Sequence, residues 1–168
     1  EPDGGLDFFD NLSPSWADNQ SYSSAAFSQQ LRHILRNHPT ESPLFLYYAH
    51  QLIHYPLQVP PGPVPETCAA LNSTRRRHIT CRMVLELDRL VGETVDLLQA
   101  AHLWNNTLMW VLSDNGGNVE YIGSQKNRSS DLPPVPYQPA GSSNYPFRGG
   151  KSTLWEGGIR SASFIAGG

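Results

Sequence analysis

The sequence predicts an α/β fold: a mostly parallel sheet flanked by helices. Two observations carry this. Continuous apolar runs, Leu44-Phe45-Leu46-Tyr47-Tyr48-Ala49 and Thr107-Leu108-Met109-Trp110-Val111-Leu112, have the length and composition of strands buried on both faces. Stretches of helical periodicity separate such runs, and strands joined through helices build parallel, right-handed βα units.

The elements follow in order. Residues 1–21 are polar and rich in turn formers. Residues 22–37 read as a helix, with Phe27, Leu31, Ile34 and Leu35 on one face, and Asn37-His38-Pro39 stops it. The first strand, 44–49, opens after Pro43. Residues 55–74 hold five prolines and read as a loop. The longest helix spans 77–102. Its inward stripe is Met83, Leu87, Leu90, Val91, Val95 and Leu98, and Glu86, Arg89, Glu93 and Asp96 are expected to face out. The second strand covers 107–112, and a third is expected at 161–166. The intervening loop is long and proline-rich.

Composition sets limits. The 168 residues suffice for one domain with a core, and hydrophobic residues make up 39% of them. A net charge of -3 gives no general attraction to nucleic acid. No apolar run approaches the roughly 18 residues of a membrane span. The opening Glu1-Pro2-Asp3 is no signal peptide, and 162–168 reads as a strand with nothing after it, so the chain is expected to be a fragment. Five Asn-x-Ser/Thr sequons, at Asn11, Asn19, Asn72, Asn105 and Asn127, exceed the about 1.4 that chance would place here. Asn11 is the weakest, because Pro14 follows its serine. The excess predicts passage through the secretory route, to a secreted or lysosomal destination, with glycans on surface loops. Cys68 and Cys81 fit an oxidising compartment and a structural disulfide.

The chemistry gathers at strand ends. Asp114-Asn115 follows the second apolar run directly, where ligands collect in open α/β sheets. Their hard oxygens suit Ca²⁺ or Mg²⁺, and Asn115-Gly116 is also a turn signal that could present them. His54 trails the first run and could bind an oxyanion or protonate a leaving group; a partly buried structural histidine is the plainer reading. Lys151, between Gly149-Gly150 and Trp155, is one of two lysines in the chain. It suits a sulfate or phosphate as a point charge, with a solvated lysine as the alternative.

Three rival patterns are weaker. His50 and His54 have zinc-pair spacing, but Gln51 stands where a zincin needs glutamate, and Pro56 would break the helix. Gly150-Lys151-Ser152 matches the end of a P-loop, but Tyr145 replaces its first glycine. Arg75-Arg76-Arg77 reads as a solvated face, with a glycan-sulfate contact as the minority reading.

Several segments together resemble the sulfatases, and within them the arylsulfatase B type. They are Pro43 to Tyr47, His54-Tyr55-Pro56-Leu57-Gln58-Val59-Pro60, Leu103-Trp104-Asn105-Asn106-Thr107, Ser113-Asp114-Asn115-Gly116-Gly117, and Arg148-Gly149-Gly150-Lys151 on to Leu154-Trp155-Glu156-Gly157-Gly158-Ile159-Arg160. They keep family order over 43–168, and 1–42 matches loosely. The resemblance implies part of an alkaline-phosphatase-like α/β catalytic domain over 1–168 that hydrolyses sulfate esters of glycosaminoglycans or aryl alcohols. It implies one Ca²⁺ with Asp114 and Asn115 among its ligands, and His54 and Lys151 on the sulfate, one of them aiding the leaving group. A formylglycine nucleophile and the remaining calcium ligands would lie outside the chain: neither cysteine has the family's x-Pro-x-Arg surroundings. Tyr55 and the loop 123–146 depart from close relatives. The alternatives are a non-catalytic sulfatase-like protein that binds anionic glycans, and a phosphoesterase of the alkaline-phosphatase superfamily.

Overall fold

The computed structural model describes residues 8–15, 21–119 and 141–168. A short antiparallel hairpin opens it, β1 (Phe9–Asp10) with β2 (Ser13–Pro14). Helix α1 (Ser23–Asn37) follows, then a stretch without helix or strand, a one-turn helix α2 (Glu66–Ala69) and the long α3 (Arg75–Ala100). Thr74 caps α3 by accepting from the Arg77 N–H. A 3₁₀ turn, Trp104–Asn106, leads into β3 (Leu108–Leu112), and a one-turn helix α4 (Glu156–Ile159) leads into β4 (Ser163–Gly167).

Helix α1 packs along α3, and the contact mixes apolar and ionic groups. At one end Leu31 and Leu35 meet Leu98, with Tyr48, Leu97, Leu103 and Trp104 closing around them. At the other end Ser24 and Ser28 donate to the Glu86 and Glu93 carboxylates at 2.6 and 2.7 Å. Arg89 bridges the two glutamates at 2.8 and 3.0 Å, and Arg32 of α1 pairs with Glu93. Glu86 and Glu93 were expected to face water. They face α1 instead, because its serines and arginine offer donors that compensate the burial of charge. The Arg89 hydrogen bond holds the Glu86 carboxyl below its ordinary value of 4.5. For Glu93 burial pushes the pKa up, and the bonds from Ser28, Arg89 and Arg32 outweigh it, so it too is lowered.

Carboxylates depressed in the folded state stabilise it fully above their unfolded pKa, and that stability is lost as pH falls through the lower folded values. The thermal midpoint should therefore ease down once pH drops below about 6.5, where burial opposes charging of His50, and fall steeply below about pH 4 as the two carboxylates protonate. In Glu86→Gln/Glu93→Gln the acid fall should be shallower from a lower plateau. Thermal scans across pH check this, and an unchanged acid slope would count against it.

The parallel sheet expected from the sequence is not what the described residues form. β3 and β4 pair antiparallel, with Leu108 opposite Gly167 and Leu112 opposite Ser163. A parallel pair needs a long crossover, usually a helix. Among the described residues between β3 and β4 the only helix is the four-residue α4. The run 44–49 has no regular secondary structure and no ladder partner among the described residues. Phe45 and Tyr47 are 92% and 83% exposed, against 38% for Leu44 and Leu46, so the run keeps a strand's alternation without a neighbour. β3 is not buried either: Leu108, Trp110 and Leu112 are exposed.

Cys68 and Cys81 form a disulfide, with α-carbons 5.8 Å apart. It ties the loop before α3 to the helix and restricts the unfolded chain by about 3 kcal/mol for a loop of this size. Arg82 holds the same loop, its Nη2 donating to the Pro60 and Gly62 carbonyls at 2.7 and 2.8 Å. The basic run is not wholly solvated, since Arg77 donates to the Gly141 carbonyl at 2.8 Å. Asn19, Asn127 and most of the 123–146 loop lie outside the described residues.

Candidate functional site

Four sequence-selected residues can be placed: His54, Asp114, Asn115 and Lys151. His54 lies in the coil after the 44–49 run, just before the loop that Arg82 and the disulfide fasten to α3. Its Nδ1 is 2.5 Å from the Tyr55 carbonyl oxygen. A carbonyl only accepts, so Nδ1 carries the proton and, in the neutral ring, Nε2 is left as an acceptor. Nε2 lies 2.9 Å from the Lys151 ammonium, a contact between residues 97 positions apart. The ammonium has three N–H bonds. With one aimed at His54, two are left for an anion.

Lys151 is held by its backbone. Its N–H donates to the Gly117 carbonyl at 3.0 Å, which joins the lysine turn to the turn that follows β3. Asn144 braces the same junction: it accepts from the Gly117 N–H at 3.0 Å and donates to the Gly117 and Gly149 carbonyls at 2.8 and 3.1 Å. A third turn closes the stack. The Gly116 N–H reaches the Gly158 carbonyl at 2.9 Å, and the Gly157 N–H reaches that of Arg148 at 2.8 Å. The three glycine pairs thus lie backbone on backbone. A Cβ on Gly116 would sit 1.9 Å from the Gly157 carbonyl oxygen. Gly149 also has φ +80°, and a Cβ there would meet Thr153 Oγ1 at 2.5 Å. Arg148 caps the stack, 3.7 Å over the Trp155 ring.

Asp114 and Asn115 stand at the end of β3 in the first of these turns. Asn115 Nδ2 donates to the Gly116 carbonyl at 2.9 Å, so its side-chain oxygen is the atom left for other partners. A carboxylate beside an amide oxygen fits a hard cation by chemistry. It falls short in number: calcium takes six to eight oxygens. Among the described residues no group of three or more His, Cys, Asp or Glu could hold a metal.

Two rival readings have no support in this geometry. His50 and His54 share no helix. His50 packs against Tyr48 and Phe27, with ring centroids 4.2 and 6.1 Å away, and neither ring nitrogen has a hydrogen-bond partner among the described residues. Burial lowers its pKa and pushes the Tyr48 hydroxyl up to about 12. The Gly150-Lys151-Ser152 turn does not cradle phosphate with its backbone. The Gly150, Lys151 and Thr153 N–H groups go to Thr153 Oγ1, the Gly117 carbonyl and the Gly150 carbonyl. Asn144 was missed by the sequence reading. It sits in an ordinary Ser-Ser-Asn-Tyr-Pro stretch, and nothing local distinguishes it.

Comparison with known proteins identifies the family. A family model described as Sulfatase matches residues 4–167. Mouse arylsulfatase J is 35% identical over 162 residues, covering 96% of this chain and 24% of its own length. Human N-acetylgalactosamine-6-sulfatase is 29% identical over 134 residues, 80% of this chain and 21% of its own length. The chain therefore spans about a quarter of the curated relatives it matches. Among solved structures, Ps i-CgsB superposes with a TM-score of 0.69 at 26% identity, covering 92% of this chain and 30% of that one. The same protein in complex with k-i-k-neocarrahexaose gives 0.68.

Proposed function

Because this chain belongs to the sulfatase family, we propose that it forms part of an alkaline-phosphatase-like catalytic domain that hydrolyses sulfate esters, with His54 and Lys151 receiving the sulfate. The observation that carries this is the 2.9 Å contact between His54 Nε2 and Lys151 Nζ, with the Asp114-Asn115 turn hydrogen-bonded to the lysine turn through Gly117. Lys151 places positive charge and two N–H bonds where sulfate oxygens would lie. His54, its Nδ1 proton fixed on Tyr55, accepts at Nε2 from the Lys151 ammonium, so the pair shares one proton that can pass to the departing alcohol oxygen and leave the lysine neutral. Asp114 and Asn115 would hold one side of a single Ca²⁺, which when bound supplies positive charge against the developing negative charge on the sulfate. The attacking group, a formylglycine in this reading, is not Cys68 or Cys81, which are bonded to each other.

The substrate class is a sulfated glycan or an aryl sulfate. Relatives named for N-acetylgalactosamine-6-sulfate and aryl sulfates support it, as does a structural neighbour complexed with k-i-k-neocarrahexaose. The test is turnover of an aryl sulfate by the full-length protein with calcium and with a chelator. Turnover is expected, its loss on chelation is expected, and the 168-residue chain alone should be inactive because it offers too few calcium ligands. Binding of sulfated glycan without turnover by the full-length protein would favour the non-catalytic alternative. Turnover by the isolated chain would overturn the division of labour described above.

The same reading places the protein on the secretory route, secreted or lysosomal. No helix among the described residues is long and apolar enough to cross a membrane. Asn72 and Asn105 are exposed on either side of α3 and are the proposed glycan sites, with Asn19 and Asn127 as further ones. Protein from a eukaryotic host should drop in apparent mass on glycosidase digestion, and an Asn72→Gln/Asn105→Gln variant should drop less. No change in the parent protein would contradict the secretory assignment.

A further inference from the structure

A shallow groove of about 300 Å³ runs between the 143–147 segment and the residues leading into β4. Ser143, Asn144, Tyr145, Phe147, Arg160 and Ser161 line it. Tyr145 is 91% exposed and Phe147 38%, so two aromatic rings are within reach of a ligand. The Arg160 guanidinium lies 4.7 Å from the Phe147 ring centroid. Its ion pair with Glu156 is long, 3.8 Å, between two exposed side chains. Such a pair is worth little and yields readily to a better anion. Stacking engages the face of a guanidinium and not its N–H edge, and that edge is the part that binds carboxylate or sulfate in two-pronged fashion.

The groove shares two residues with the framework that holds the site already described. Asn144 lines it and also binds Gly117, the residue whose carbonyl holds the Lys151 N–H. Gly157 lines it too, and its N–H is bonded to Arg148 in the glycine stack. Rings that can stack on a pyranose, an amide and hydroxyls that can bond sugar hydroxyls, and one lightly committed arginine together match an acidic sugar better than an apolar ligand.

We propose that this groove is a second sugar subsite, which takes the residue neighbouring the sulfated sugar and pairs Arg160 with a carboxylate or sulfate on it. The proposal rests on the sulfatase reading of Lys151. It makes chain length matter: a glycan of several sugars gains contacts that a single sulfated sugar cannot make.

The test is calorimetric titration of the full-length protein with two probes, N-acetylgalactosamine 6-sulfate and a chondroitin sulfate tetrasaccharide. The tetrasaccharide should bind more tightly. Arg160→Gln should weaken tetrasaccharide binding about tenfold, the scale of one charge-assisted bond, and change monosaccharide binding less than twofold. Glu156→Gln removes the competing carboxylate and should strengthen tetrasaccharide binding, whereas Lys151→Ala should weaken both probes. A desulfated chondroitin tetrasaccharide, which keeps its carboxylates, separates the two anion sources: if it retains the Arg160 dependence, the partner is the carboxylate, and otherwise it is the sulfate. Equal affinity for the two sulfated probes, or equal losses for both on Arg160→Gln, would overturn the subsite and leave the Lys151 site standing. Indifference of both probes to Lys151→Ala would overturn the sulfatase reading on which the subsite rests.

Discussion

Replacing Lys151 with alanine in the full-length protein is expected to lower turnover of a sulfate ester by about 10²–10³-fold, the scale seen when one preorganised donor to a developing oxyanion is removed. Lys151 contributes a charge and two N–H bonds that are not engaged by His54. Its backbone is fixed by the Gly117 carbonyl, so the ammonium needs little reorganisation to meet an anion. The substitution removes the side chain and leaves the backbone bond in place, so stability should hardly change. Lys151→Arg is a useful companion. It keeps charge but not the compact fit against His54 Nε2, and should recover only part of the loss. Steady-state kinetics with an aryl sulfate, run beside a thermal unfolding scan, separates the two effects. A loss under threefold in Lys151→Ala would remove the lysine from the catalytic group.

Gly116→Ala should abolish activity with a side chain that carries no chemistry of its own. The new methyl would stand 1.9 Å from the Gly157 carbonyl oxygen and 2.7 Å from its carbon. Both are backbone atoms, so no rotamer change can relieve the clash. Either the 114–117 turn moves away from the 156–159 turn, or the fold gives. In the first case the Gly116–Gly158 hydrogen bond is lost and Asp114 and Asn115 shift with the turn. Overpacking of this kind costs typically about 1–3 kcal/mol, and a misplacement of about 1 Å at a site can cost 10²-fold in rate. Gly92→Ala is the control, since a Cβ there meets nothing within 4 Å and the position is helical. That variant should be neutral or slightly stabilising. Full activity in Gly116→Ala would mean that the turns are not packed as described.

The sequence disclosed some levels of this structure and hid others. Helices α1 and α3 were legible because a 3.6-residue period is written locally. β3 and β4 were legible as apolar runs. Their antiparallel sense was not, because pairing depends on what connects the strands, and the proline-rich connection carries no period to read. Glu86 and Glu93 were misplaced for a related reason: a charge on a helix face reads as solvated until the partner helix is known to bring Ser24, Ser28 and Arg32. At the site, the residue types at His54, Asp114, Asn115 and Lys151 could be picked out. The 97-residue contact between His54 and Lys151 could not be derived from any window of sequence. Asn115-Gly116 was read as a turn signal, and the role of the glycine pairs in letting three backbones touch appears only in three dimensions.

The ionic half of the α1–α3 contact also fixes registry. Leucines alone would let α1 slide along α3, because one apolar ridge fits many grooves. A slip of one turn, about 5.4 Å, would carry Ser24, Ser28 and Arg32 away from Glu86 and Glu93 and leave the two half-buried carboxylates to Arg89 alone. The observed alignment gives both carboxylates their donors from α1. The chain leaves α1 through His38 into the run that packs Tyr48 on the Leu31–Leu98 cluster and His50 against Phe27. His54 follows four residues later. A vernier of serines and glutamates, far along the chain from any chemistry, thus determines where the imidazole is delivered.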